Sequence, residues 1–127
     1  MADEMGTFRT DVELENPQLP GERRRVPALL VDTGSELTWV PAPVLDSLGV
    51  VRVKQLHFRQ ATGQIVERWT GGAVVHAAGT RTFDDVVFGE PGDQSLLGAR
   101  TLEGLNVVVD PVTRRLVDAG AMPAAAA

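Results

Sequence analysis

Leu29–Pro41 reads LLVDTGSELTWVP. Three aliphatic residues suited to a buried strand run directly into a carboxylate, Asp32, and the apolar pattern resumes at Leu37. A carboxylate drawn out of water costs on the order of several kcal/mol unless it is paired or hydrogen-bonded. A chain that spends an aspartate in such a place puts it there for chemistry. Asp32, Thr33, Gly34 and Ser35 are turn-forming residue types, so the pattern predicts a strand, a tight turn and a second short strand over Leu37–Val40, with Asp32 at the break.

Upstream, Thr7–Glu15 alternates well enough for a strand only if a bulge falls between Phe8 and Val12. NPQLPGE over Asn16–Glu22 has two prolines and a glycine and predicts a hairpin loop. Arg23–Asp32 is the returning strand, with its ALLV end expected to be buried on both faces. Downstream, PAPVLDSLG over Pro41–Gly49 predicts a short helix with proline in its first turn and glycine as its stop. Val50–Gln60 predicts a strand, Ala61–Gln64 a tight turn, and Ile65–Trp69 the strand running back. Gly71-Gly72 is read as a bend before Ala73–Ala78. Strands over Thr82–Phe88, Asn106–Asp110 and Arg114–Val117 follow, with Leu96-Leu97-Gly98 leading into a short helix, ARTLEGL.

The 127 residues make one domain, with thirteen glycines and eight prolines set between valine-rich runs, which favours β structure. Residues 1–5 are expected to be a flexible start, 6–118 the folded domain, and 119–127 a disordered Ala-rich tail. A net charge of −5 argues against nucleic acid as a partner, since phosphate binding calls for a basic surface, and gives no reason to expect a membrane. The chain has no cysteine, which removes disulfides and thiolate chemistry. The acidic start MADEMGTFRT does not read as a secretory signal, so a cytoplasmic location is expected. His57 and His76 have no second ligand at metal spacing, and neither a metal nor a cofactor is expected. Arg23-Arg24-Arg25 reads as a charged hairpin. Trp39 and Trp69 read as packing residues.

Asp32-Thr33-Gly34-Ser35 after an aliphatic strand, together with Leu96-Leu97-Gly98 opening a helix, resembles the aspartic protease clan, and within it the single-lobe, retroviral-type proteases and their bacterial relatives. The resemblance covers about Gly6 to Val117. It implies an all-β, single-lobe, closed barrel-like fold with one or two short helices and a flap hairpin, here Phe58–Glu67 with Ala61, Thr62, Gly63 and Gln64 at its tip. It also implies that Asp32 is the catalytic residue. Two carboxyls sharing one proton can serve as acid and base together, and the aspartic protease pair is itself the standard example of such a dyad.

This chain holds a single Asp-Thr-Gly. Asp84 and Asp85 are adjacent on a predicted strand and point to opposite faces; Asp46, Asp93 and Asp110 sit on a helix or in turns. The second carboxylate is therefore expected from another copy, in a homodimer with the site on its two-fold axis. By the resemblance, Thr33 would bond across that axis, Gly34 would let backbone approach the carboxylate, and Ser35 would donate to the outer carboxylate oxygen. Arg100, near the helix start, would hold a carboxylate and fix the dimer, or else be a solvated helical arginine. The expected activity is endopeptidase hydrolysis of an extended peptide or protein substrate by water activated between two Asp32 carboxylates. The alternative is a binding module of the same fold that recognises peptide without cutting it, or cuts one dedicated target.

Overall fold

A computed structural model describes residues 8–124. The expected flexible start at residues 1–5 and the final alanines of the expected tail, 125–127, lie outside the described residues. Nine strands and two short helices are described. The strands are β1 (Arg9–Glu15), β2 (Arg23–Val31), β3 (Thr38–Pro41), β4 (Lys54–Arg59), β5 (Ile65–Ala77), β6 (Thr80–Gly89), β7 (Leu96–Leu97), β8 (Val107–Asp110) and β9 (Arg115–Asp118). The helices are α1 (Ala42–Ser47) and α2 (Ala99–Leu105).

Seven strands form one sheet in the order β1-β2-β7-β3-β6-β5-β4, and β8 pairs with β9 in a separate ribbon. The sheet is mixed: β2–β7 and β3–β6 are parallel, whereas β1–β2, β4–β5, β5–β6 and β3–β7 are antiparallel. β1 also meets β5, over Glu13–His76, Leu14–Val75 and Glu15–Val74. At the other end β4 is an outer strand, with β5 as its one neighbour among the described strands. The joints at β7 are short, with two residue pairs to β2 and one to β3.

This corrects the fold that the resemblance implies. A small mixed α/β domain, whose sheet carries parallel pairs and ends in the outer strand β4, stands where a closed all-β lobe was expected. The assignment to retroviral-type proteases and the β-barrel description are corrected with it.

Local chemistry explains the elements. The register of β1 slips between Thr10 and Val12, where the alternation requires a bulge. There the Asp11 carboxylate takes the N–H of Ala28 at 2.9 Å, and Ala28 adopts φ 59°. That kink leaves Ala28 exposed and Leu30 half-buried, so only Leu29 and Val31 of the expected doubly buried end are fully inside. The glycine pair 71–72 does not bend the chain, because β5 runs through it unbroken. A Cβ on Gly71 would stand 2.3 Å from the Val51 carbonyl oxygen, and one on Gly72 2.5 Å from the Phe83 ring. Close approach is what those glycines provide. Residues 50–53 lie outside any strand, their backbone held instead by bonds such as Val53 N–H to Thr70 O at 2.8 Å.

The main core gathers Val12, Leu14, Leu29, Val40, Leu45, Val75, Val86, Leu97 and Leu102. Each such side chain contributes about 1.5–3 kcal/mol on leaving water. A second, smaller cluster of Leu37, Trp39 and Val87 is packed by Leu56, Phe58, Val66 and Leu96. That second cluster seats the β4–β5 hairpin over the turn at Asp32.

Candidate functional site

The carbonyl of Leu97, at the end of β7, accepts the Asp32 N–H at 3.0 Å. Two further backbone bonds tie the turn to the start of α2: Ala99 N–H to Ser35 O at 2.7 Å and Arg100 N–H to Glu36 O at 3.0 Å. The Leu96-Leu97-Gly98 motif thus props the turn from beneath. Gly98 is required for this approach, since a Cβ there would lie 2.4 Å from the Leu37 carbonyl oxygen and 2.9 Å from that of Ser35.

Within the turn, Gly34 N–H donates to Asp32 Oδ1 at 2.9 Å, and a Cβ on Gly34 would stand 3.2 Å from that same oxygen. Asp32 is half-buried and Thr33 and Gly34 are exposed. Ser35 departs from its expected role. Its hydroxyl donates to the Leu37 carbonyl at 2.8 Å and braces the backbone rather than the carboxylate.

A cleft of about 660 Å³ opens between this turn and the β4–β5 hairpin. Asp32, Gly34 and Ser35 line one side, His57, Phe58 and Ala61 the other, and Trp39 and Leu96 lie between. Trp39 meets Phe58 edge to face at 4.9 Å between ring centres, a preferred aromatic geometry. Of the four expected tip residues, Ala61 lines the cleft; Thr62, Gly63 and Gln64 form the exposed turn, closed by Gln60 N–H to Gln64 O at 2.8 Å. Trp69, read as packing, is exposed on the outer face of β5, opposite Gln55.

One more ion pair shapes the cleft. Arg68 Nε and Nη2 hold Asp93 Oδ2 and Oδ1 at 2.7 and 2.9 Å, a two-pronged bond from β5 to the loop over 90–95. The guanidinium holds the Asp93 carboxyl below the usual aspartate range, and Asp93 in turn raises Arg68. Because Asp93 also lines the cleft, the hairpin arm is latched to the wall beside it.

Sequence reasoning missed the support under the site. Gly98 N–H donates to Thr38 Oγ1 at 2.9 Å, Thr38 Oγ1 lies 2.7 Å from Thr101 Oγ1, and Thr101 donates to Asp84 Oδ2 at 3.0 Å. All three side chains are buried. A carboxylate only accepts, so the hydroxyl protons have one arrangement: Thr101 gives to Asp84, and Thr38 gives to Thr101. Arg100, from α2, completes the cluster with Nη2 at 3.4 Å from Asp84 and 3.7 Å from Asp85. It holds carboxylates of its own chain. Opposite faces for Asp84 and Asp85 follow from strand alternation; hydroxyl residues at buried positions Thr38 and Thr101 were the signal that the inner aspartate has a partner.

The histidines carry no metal geometry. His57 faces Glu67 across β4–β5 at 3.3 Å, and His76 Nε2 lies 2.7 Å from Glu15 Oε1. Among the described residues, no group of three or more His, Asp or Glu side chains is gathered as a metal site would need. Arg23 and Arg24 pair with Glu13 and Glu22 at 3.1 and 3.0 Å, and Arg25 pairs with Asp11.

The mechanism expected from the resemblance is corrected here. Asp32 stands in the turn with a backbone amide as its partner, and the described residues present neither a paired-aspartate centre nor the barrel that would frame one. No protein-family model matches the chain, and no curated protein matches it.

Proposed function

We propose that the cleft between the Asp32 turn and the β4–β5 hairpin receives an extended stretch of peptide or protein. The observation that carries this reading is the pairing of its two walls. One wall is β4, an outer strand whose free edge offers main-chain donors and acceptors to an added strand. The other is a propped turn holding a half-buried carboxylate toward the gap. Trp39, Phe58 and Leu96 supply apolar contact between them. A concave site with an apolar floor and a few aimed polar groups is the usual form of a binding site.

A second reading adds hydrolysis of a peptide bond in the bound stretch, with Asp32 as the acting group. Its support is that Asp32 lines one wall of the cleft with a backbone amide as its partner and, like Glu36 beside it, is met by no side-chain cation in the described salt bridges. A homodimer and a cytoplasmic location rest on the sequence alone and stand as proposals.

The experiment incubates the protein with an unfolded protein and a peptide library across acidic to neutral pH, beside Asp32→Asn and Phe58→Ala. Saturable peptide binding weakened by Phe58→Ala supports the binding site. Cleavage lost in Asp32→Asn supports hydrolysis as well. Absence of binding to any extended peptide would overturn the reading, and sedimentation of the same samples reads the dimer.

A further inference from the structure

Beside the Asp32 cleft, and sharing Asp93 and Gln94 with it, lies a second pocket of about 480 Å³. Its walls are Val40, Ala42 and Pro43 from the β3–α1 junction, facing Pro91 from the loop over 90–95. These walls are almost wholly apolar, and the two proline-containing segments that form them have little freedom to collapse inward. Val40 belongs to the main core and Ala42 packs against it, so these two walls are anchored from behind.

The rim has the opposite character. Asp46, Glu90 and Asp93 all border the pocket. Asp46 is held by Arg52 at 2.6 Å, and Asp93 by Arg68. Glu90 is different: its nearest cation, Arg68, is 3.8 Å away and already committed to Asp93, and its side chain is 59% exposed. An apolar hole with one under-neutralised carboxylate at its mouth matches an apolar side chain next to a cationic one.

We propose that this pocket seats an apolar side chain of the peptide bound in the Asp32 cleft, and that Glu90 selects a lysine or arginine beside it. The inference rests on the peptide-binding reading above, and it names the class of peptide. The two cavities adjoin at Asp93 and Gln94, which line both, and that adjacency is what places both features on one ligand. Asp93, one of the two shared residues, is fixed in place by its bidentate bond to Arg68.

The test uses fluorescence anisotropy with labelled Ser/Ala peptides carrying one Leu-Lys pair, beside versions with Asp-Lys and Leu-Glu. The proteins are wild type, Ala42→Trp, whose indole occupies the pocket, and Glu90→Lys on the exposed loop, with circular dichroism checking each fold. The expected result is that wild type prefers Leu-Lys over Asp-Lys by ~10-fold or more, the scale of one well-seated apolar side chain. Ala42→Trp abolishes that preference while still binding, and Glu90→Lys reverses the order of Leu-Lys and Leu-Glu. Unchanged preferences in both folded variants, with peptides still bound, overturn this inference and leave the cleft reading intact. If Ala42→Trp does not fold, Glu90→Lys alone decides by the same criterion. Failure of wild type to bind these peptides or any other extended peptide overturns both.

Discussion

Thr101→Val removes one oxygen from the centre of the buried chain that runs from Gly98 through Thr38 and Thr101 to Asp84. Valine has nearly the shape of threonine, so the site keeps its packing and loses its hydroxyl. Two buried groups are then left short. Asp84 Oδ2 loses its 3.0 Å donor, and the Thr38 hydroxyl loses the acceptor 2.7 Å away. Asp84 is not orphaned, because Asp85 N–H still donates to its Oδ1 at 2.8 Å and Arg100 stays nearby. Each unsatisfied buried group costs about 1–3 kcal/mol, and the added methyl returns a fraction of one, so the net loss is about 3 kcal/mol. For a domain of this size that lowers Tm by on the order of 10 °C. The assay is urea and thermal unfolding of wild type, Thr101→Val, Thr38→Val and the double variant. Since the hydroxyls act as one chain, the double variant should cost clearly less than the sum of the singles. A loss under about 1 kcal/mol for Thr101→Val, or strict additivity, would refute the network as described.

Gly98→Ala should cost roughly 2–3 kcal/mol and disturb the Asp32 turn, because its Cβ would meet backbone oxygen at 2.4 Å with no flexible side chain to yield; unfolding titrations read it, with Gly63→Ala as a contrast. Gly63 has open space but φ +88°, so only conformational strain of about 1 kcal/mol applies there. Asp93 titrates below its ordinary value of 3.8 because of Arg68, so its contribution to stability is complete above that value and disappears as pH falls through the depressed one. Arg68→Met should therefore give a shallower acid slope in thermal melts than wild type, and an unchanged slope would contradict the latch. Phe58→Ala removes the edge-to-face contact with Trp39 and should raise amide exchange across Lys54–Arg59 while leaving the Asp32 turn protected.

Most single elements were legible because their signals are local. The slip between Thr10 and Val12, the loop over Asn16–Glu22, α1 ending at Ser47 shortly before Gly49 with φ +74°, and α2 over ARTLEGL all follow from alternation, turn residues and caps a few positions apart. Assembly was not legible in the same way. Leu30 pairs with Leu96, and Trp39 with both Leu96 and Val87, across long separations that no periodicity records. Gly71-Gly72 shows the limit at one residue pair: the same glycines signal a bend to the eye and a close contact in the fold, and only Val51 and Phe83 distinguish the two. Ser35 was misread for a related reason. A hydroxyl next to a carboxylate invites pairing, but the Ser35 hydroxyl is taken by the Leu37 carbonyl at 2.8 Å.

The two walls of the Asp32 cleft differ in stiffness, and the difference follows from what holds each. The turn is fixed by three backbone hydrogen bonds to β7 and α2, by the Gly34 amide on its own carboxylate, and by the buried hydroxyl chain under Gly98. Moving it breaks several buried bonds together. The hairpin is held by half-buried Leu56, Phe58 and Val66 over Trp39 and by the Arg68–Asp93 latch, with an exposed tip and a free edge. Moving it trades apolar contacts one at a time and leaves its own β4–β5 ladder intact. On the proposed reading, a peptide entering the cleft would be accommodated by the hairpin while Asp32 keeps its place. Preorganisation lies with the carboxylate and adaptability with the strand edge, a division that would suit one fixed polar group to extended chains of differing side chains if the proposed site binds them.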